Sequence, residues 1–276
     1  MELSQALEFV SRSDPGVVRS HNEDAVYCNP AFGLAILADG MGGYNAGEVA
    51  SGMLTTLLGT ELGKAFAKTQ PYDLAADGQL QAKVILEAEI ARANNAIYQA
   101  AQSQPQYAGM GTTLVMAAFF DNCLMTAHVG DSRLYRVRGE EFSQVTRDHS
   151  LLQEQIDSGM LTVEEARNSQ NKNLVTRAVG VDPAAEPEIH VYDAQPGDIY
   201  LFCSDGLNDM VTDEDIGSTV QMLSANLGLA AMQLIEMAND NGGRDNVSVI
   251  LVRIKSEYPA PRGKASWLTR LLTWLK

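Results

Sequence analysis

Five acidic side chains stand where short apolar runs meet loops. Asp39 follows Phe32–Ala38, Asp131 follows His128-Val129-Gly130, and Asp205 follows Leu201-Phe202-Cys203-Ser204. Asp245 stands just before Val247–Ile254, and Asp24 just before Ala25-Val26-Tyr27. Three of the five sit in Asp-Gly or Gly-Asp steps, and a turn is the plainer explanation of any one such step. Strand ends in one sheet can converge, however, and crowded carboxylates without counter-charge repel. Divalent cations relieve that repulsion, and an all-oxygen donor set suits Mg²⁺ or Mn²⁺ better than zinc or copper. Arg19, three residues before Asn22-Glu23-Asp24, is either a charge partner for acids or a bidentate grip on a phosphate. The four histidines, His21, His128, His149 and His190, show no H-x-x-x-H or H-E-x-x-H spacing. They read as packed, hydrogen-bonded residues rather than ligands.

The elements that must carry these acids follow from periodicity. Phe32–Ala38 reads as a buried strand, with Asp39-Gly40-Met41-Gly42-Gly43 as a tight turn after it. Helices are expected from about Gly47 to Phe66, with Val49, Met53, Leu57 and Leu58 on one side, and from Leu80 to Gln102, with Leu86, Ile90, Ala93 and Ile97 at helical spacing. Thr112–Phe120, Asn122–Val129 and Arg133–Arg138 are rich in β-branched and aromatic residues and read as an antiparallel meander, with Glu141–Val145 as a further strand. Ser150 to about Asn168 turns helical again, with a helix start near Thr162-Val163-Glu164-Glu165. Strands Val191–Asp193 and Ile199–Cys203, helices Asp213–Leu223 and Leu227–Asp240, and strand Val247–Ile254 complete the order. Grouped strands between helix pairs favour an α+β layered domain over alternating βαβ units.

Composition narrows the class. The 276 residues are 45% hydrophobic and 20% charged, enough for a sizeable core. Net charge is −15, and no basic face is visible in the body of the chain, so no nucleic-acid partner is expected. The balance is uneven: residues 253–276 hold six of the 20 Lys/Arg and only one of the 35 acids. Cys28, Cys123 and Cys203 form no C-x-x-C pair and stand in or beside apolar runs, which predicts buried, reduced thiols and a cytoplasmic setting. Met1–Gln5 lacks the basic and apolar regions of a signal peptide, and no window reaches the ~18–20 apolar residues of a membrane span. Pro259, Pro261 and Gly263 mark a boundary, dividing a domain at 1–256 from a tail at 257–276. Ser266–Lys276 is apolar and basic and holds both tryptophans. It reads as a terminal helix packed on the domain, an interfacial membrane anchor or a docking helix for a partner.

Eight segments, in order from about Ser11 to Ile254, together resemble the metal-dependent PP2C-type (PPM) protein phosphatases, in their bacterial form. They are Arg19-Ser20-His21-Asn22-Glu23-Asp24, Ala38-Asp39-Gly40-Met41-Gly42-Gly43, Gly109-Met110-Gly111-Thr112-Thr113 and Val129-Gly130-Asp131-Ser132-Arg133. The rest are Thr146-Arg147-Asp148-His149-Ser150, Thr176-Arg177-Ala178-Val179-Gly180, Ser204-Asp205-Gly206-Leu207 and Gly243-Arg244-Asp245-Asn246-Val247-Ser248. The resemblance implies a four-layer αββα sandwich, two central antiparallel sheets flanked by helix pairs.

It also implies roles, position by position. Asp39 would bridge two Mn²⁺ or Mg²⁺ ions, and Gly40 would offer its carbonyl to the second. Asp205 and Asp245 would hold the first ion. Asp131, with Asp205, would hold a third, weaker one. Glu23 and Asp24 would reach the second ion directly or through water, and Arg19 would grip the substrate phosphate. A hydroxide bridging the two ions would attack phosphoserine or phosphothreonine in line with the departing oxygen. Phosphorylated proteins are the implied substrates, and a Ser/Thr kinase system the implied counterpart, with a monomer as the default state. Met41 occupies a position where many eukaryotic members carry a His, which leaves the proton donor unassigned, with a metal-held water expected instead. Residues 150–175 correspond to a mobile flap, or else form an ordinary surface helix pair. The competing functions are hydrolysis of small phosphate monoesters and a catalytically silent phosphoprotein-binding role. The silent role would be marked by loss of a metal aspartate, and none is lost.

Overall fold

Apolar runs without alternation fold here as strands covered on both faces. The structure is a computed structural model that describes residues 3–43, 46–162, 165 and 174–260. Helix α1 (Leu3–Ala6) leads into β1 (Leu7–Asp14), β2 (Asp24–Asn29) and β3 (Leu34–Met41). Helices α2 (Ala46–Phe66) and α3 (Gln81–Ser103) follow. Then come β4 (Gly111–Thr112), β5 (Leu114–Phe120), β6 (Cys123–Val129), β7 (Arg133–Arg138) and β8 (Glu141–Gln144). Helix α4 (Leu151–Asp157), strands β9 (Glu188–Asp193) and β10 (Ile199–Cys203), helices α5 (Asp205–Asn208), α6 (Asp213–Met222) and α7 (Leu227–Asp240), and strand β11 (Val247–Ile254) complete the described chain.

The strands form two antiparallel sheets, ordered β1-β11-β10-β7-β8 and β2-β3-β5-β6-β9, with β4 paired to β3. Three apolar layers hold them. Leu34, Ile36 and Ala38 of β3 and Leu114, Met116 and Ala118 of β5 pack under α2 and α3. Val247, Val249 and Leu251 of β11 pack under α6 and α7. The alternate residues Ala35, Leu37, Val115, Ala117, Ile250 and Val252 meet between the sheets. Side chains alternate along a strand, so each run serves two layers at once. This is the four-layer αββα arrangement.

Three expectations need correction. Asp39-Gly40-Met41 is not a turn: β3 continues through it, pairing Asp39 with Asp24 of β2 and Gly40 and Met41 with Thr112 and Gly111 of β4. The segment from 112 to 145 is not one meander. β5 pairs with β6, but β7 lies in the other sheet, so Gly130-Asp131-Ser132 crosses between sheets. The buried stripe of α2 is Ala50, Leu54, Leu58 and Leu62, with Val49, Met53 and Leu57 only partly buried beside it, because the small Ala46, Gly47 and Ala50 bring the first turns close on β3 and set that face inward. The α3 stripe of Leu86, Ile90, Ala93 and Ile97 is buried as expected. Strand β1 and the short helix α5 lie where no element was foreseen.

Thr212 and Asn226 cap α6 and α7 by accepting the Asp215 and Leu229 N–H groups. Thr162 accepts the Glu165 N–H, as the capping signal there implies, while residues 163, 164 and 166–173 of the expected flap lie outside the described residues. The main chain stays on the domain as far as Ala260, with Tyr258 buried and its N–H donated to Asn122 Oδ1. Residues 261–276, with the Trp-rich segment, lie outside the described residues.

Candidate active site

Strands β2 and β3 place Asp24 and Asp39 opposite each other in register, so their side chains share one face of the sheet. Asp39 is fixed through its backbone: its N–H donates to Thr113 Oγ1 at 3.0 Å, and its carbonyl accepts from Thr113 N–H and Thr112 Oγ1. Gly40 admits no side chain, since a Cβ there would lie 2.1 Å from the Gly47 carbonyl oxygen. The start of α2 therefore presses directly on the strand end. Glu23 lies at the same junction, with its carboxyl carbon 2.8 Å from where a Gly47 Cβ would be. Its carbonyl accepts from Gly40 N–H and Ser51 Oγ.

The second sheet supplies the partners. Ser204, the residue after β10 and N-cap of α5, donates from Oγ to Asp24 Oδ2 at 2.7 Å. Asp205 opens α5, and Asp245 lies just before β11, the neighbour of β10. Arg19 donates to Asp245 Oδ2 at 2.7 Å, with half of its side chain exposed. Its loop is anchored by Val17 and Val18 N–H donating to the Gly243 carbonyl. Asn246 completes the anchor: it is 4% exposed, accepts the Glu23 N–H, and donates to the Pro15 and His21 carbonyls.

Electrostatics show that these acids form one group. Burial, then the charges of Asp24, Asp205, Asp131 and Asp245, push the Asp39 carboxyl well above the usual carboxylate range. Burial and the charges of Asp131, Asp209, Asp245 and Asp24 do the same to Asp205. Burial lifts Asp24 to about 6 despite its serine hydrogen bonds. Burial and Asp148 lift Asp131 to about 7. Glu23 is raised mainly by burial, with Arg19 pulling the other way. Asp24 Oδ1 is buried with no hydrogen-bond partner. An orphaned carboxylate oxygen within a group of mutually repelling acids fits divalent cations held by oxygen.

All eight residues singled out from the sequence, Arg19, Glu23, Asp24, Asp39, Gly40, Asp131, Asp205 and Asp245, lie at this one end of the sandwich. Asn246, Thr113, Ser132 and Ser204 were not foreseen as site residues, although each stands beside a foreseen acid or motif. Their contacts span up to 231 positions of sequence, so no spacing rule reveals them.

A cleft of about 460 Å³ runs beside Asp131 and Asp205, between α4 and the Asn208–Asp213 segment. Its wall holds a partly buried ion pair, in which Arg133 donates to both oxygens of Asp148 at 2.7–3.0 Å and to Tyr135 Oη, which itself donates to Asp213. Leu152, Ile156, Met210 and Val211 make the cleft partly apolar.

His128, His149 and Glu188 bring donor atoms within 4.8 Å of one another. Hydrogen bonds account for His149 and Glu188 without a metal, whereas His128 Nδ1 is buried with no hydrogen-bond partner. His149 Nδ1 accepts from Gly130 N–H, so Nε2 carries the proton and donates to Glu188 Oε1 at 3.1 Å. His128 Nε2 donates to the Arg147 carbonyl at 2.9 Å. A metal on His149 Nε2 would force the proton onto Nδ1, against the Gly130 N–H.

The sequence profile of the protein phosphatase 2C family matches residues 18–236. The serine/threonine protein phosphatase PstP of Mycobacterium tuberculosis is 39% identical over 248 residues, covering 90% of this chain and 45% of PstP. This chain thus spans less than half the length of that relative. Protein phosphatase PhpP of Streptococcus pneumoniae is 38% identical over 256 residues, covering 91% of this chain and 99% of PhpP. The crystal structure of the M. tuberculosis phosphatase superposes with a TM-score of 0.81 at 38% identity, covering 90% of this chain and 99% of that one. The catalytic domain of PstP solved with two manganese ions gives a TM-score of 0.77 at 38% identity, covering 90% of this chain and 97% of that one. No helix among the described residues is long and apolar enough to cross a membrane.

Proposed function

This chain belongs to the protein phosphatase 2C family, and we propose that it hydrolyses phosphoserine and phosphothreonine in proteins, in a reaction dependent on Mn²⁺ or Mg²⁺. One observation carries the proposal: Asp39 and Asp205 sit among Asp24, Asp131 and Asp245 with carboxyls pushed far above their usual range by burial and mutual repulsion. Folding such a group is costly unless cations join it.

Asp39, Asp205 and Asp245, with the Gly40 carbonyl, are the residues we assign to the two core ions. Glu23 and Asp24 would reach the second directly or through water, and Asp131 with Asp205 would take a third. Divalent ions bound there supply positive charge to the phosphoryl oxygens and acidify the attacking water. Arg19 orients the phosphate, held at the rim by Asp245 while its exposed guanidinium faces incoming ligand. Ser204 aims Asp24, and Thr113 fixes the strand end that carries Asp39. Met41 has no proton to give, so we assign the proton taken by the departing serine or threonine oxygen to a water held at the site. No thiol takes part: burial raises the pKa of all three cysteines, and a protonated thiol is a poor nucleophile.

The cleft beside Asp131 and Asp205 supports a protein substrate, since a lone phosphate ester would leave most of it unused. Such an enzyme opposes a Ser/Thr kinase. Free cysteines suit the cytoplasm, and we take the working unit to be a monomer. The proposal is tested by comparing a phosphothreonine peptide with p-nitrophenyl phosphate at the same Mn²⁺ concentration. The peptide should show a kcat/KM at least ~10-fold higher. A preference for the small ester would move the assignment to small phosphate monoesters.

A further inference from the structure

Asp131 rides on a connection of three residues, Gly130 to Ser132, that carries the chain from β6 in one sheet to β7 in the other. So short a crossing has few main-chain hydrogen bonds of its own, yet it must aim a carboxylate. One face is held by Thr113, whose Oγ1 lies 2.7 Å from Ser132 Oγ and also accepts the Asp39 N–H. The other face is held by His149. The Gly130 N–H donates to His149 Nδ1 at 3.2 Å, and the His149 N–H donates to the Gly130 carbonyl at 2.9 Å. Both polar backbone atoms of Gly130 are thus bonded to one residue. Gly130 has φ +103°, and a Cβ there would lie 2.7 Å from Thr113 Cγ2, so the crossing has little freedom to relax.

The ring is set from its far side. Glu188 of β9 accepts from Nε2, which keeps the proton off Nδ1, and His128 stacks on the ring at 4.8 Å between centroids. His149 is 6% exposed, and its carbonyl accepts the Thr176 N–H. Arg177 and His190 lie within 4.0 Å of the same Glu188 carboxylate, so the orienting acid is itself held in place.

We propose that His149 is a positioning residue: its Nδ1 lone pair, with the tautomer set by Glu188, fixes the Gly130–Ser132 crossing and so aims Asp131 at a divalent cation. The inference rests on the assignment of Asp131 as a ligand of the weaker ion. It assigns His149 no contact with substrate or metal.

The two ring nitrogens can be tested separately. Asparagine places an acceptor near the Nδ1 position, whereas glutamine places a donor near Nε2. Mn²⁺ binding to the full chain is measured by electron paramagnetic resonance of the free ion, alongside thermal melting, for wild type, Asp131→Asn, His149→Asn and His149→Gln. Asp131→Asn should remove the weakest class of bound Mn²⁺. His149→Gln should weaken that class by ~10- to 100-fold and leave the tighter ions in place, while His149→Asn stays within ~3-fold of wild type. Equal losses in the two His149 variants, or none in His149→Gln, would overturn the inference while leaving the Asp131 assignment standing. An unchanged isotherm for Asp131→Asn would sink that assignment, and the inference with it. If melting shows that His149→Gln does not fold, Glu188→Ala serves instead. It frees the tautomer, and the same class should weaken by ~3- to 10-fold; no change there also overturns the inference.

Discussion

Arg19 is the site residue whose chemistry is least replaceable by charge alone. Its NH2 group reaches Asp245 at 2.7 Å while half the side chain stays in water, so the pair itself adds little stability. Its value lies in the planar fork, which can hold Asp245 and a phosphate oxygen together. Arg19→Lys keeps the charge and loses the fork. Steady-state kinetics on a phosphothreonine peptide should then show KM raised ~10-fold with a smaller change in kcat. An unchanged KM would mean that Arg19 serves only as a charge partner for Asp245. Asp24 shows the opposite logic. One oxygen is satisfied by Ser204 and the other is orphaned, which makes sense if a cation or its water takes the second.

Elements explain which parts of this arrangement can be read from sequence. Strands β7, β10 and β11 and helix α7 were legible to the residue, because each has continuous apolar or clearly periodic character between turn residues. The αββα layering was legible from the grouping of strands and helix pairs together with the family resemblance. Three things were not. Asp-Gly at positions 39 and 40 looks like a turn locally, but α2 presses on Gly40 and β4 pairs with it, so long-range contacts keep it extended. The step from β6 to β7 looks like a hairpin, because nothing local distinguishes a turn within a sheet from a crossing between two. Strand β1 is half polar and exposed along its outer part, and only its pairing with β11 defines it. The acids at the site were legible because they end apolar runs. Asn246, Thr113 and His149 were not legible as supports, since their roles depend on partners brought close only by the fold.

The whole molecule draws its carboxylates together at one end of a stable sandwich, and its stability must answer to pH and metal. Asp24 and Asp131 have folded-state values of about 6 and about 7, raised from an ordinary 3.8. The folded chain therefore holds protons that the unfolded chain has released between pH ~4 and ~7. Stability from these groups is fully present below the unfolded value and is lost as pH rises through the folded one. Without metal, the melting temperature should fall between pH 5 and 8, and Asp24→Asn should flatten that fall. Added Mn²⁺ should raise the melting temperature more at pH 8 than at pH 5, because protons no longer compete for the acids. A metal-induced rise that is larger at pH 5 would contradict a carboxylate site. The central claim, that Asp39 anchors metal-dependent phosphoester hydrolysis, has a more direct test. Release of phosphate from a phosphothreonine peptide is measured with Mn²⁺, with EDTA, and with Asp39→Ala in Mn²⁺. Turnover should require Mn²⁺, vanish in EDTA and fall at least ~100-fold in the variant; metal-independent turnover, or full activity in Asp39→Ala, would contradict the account.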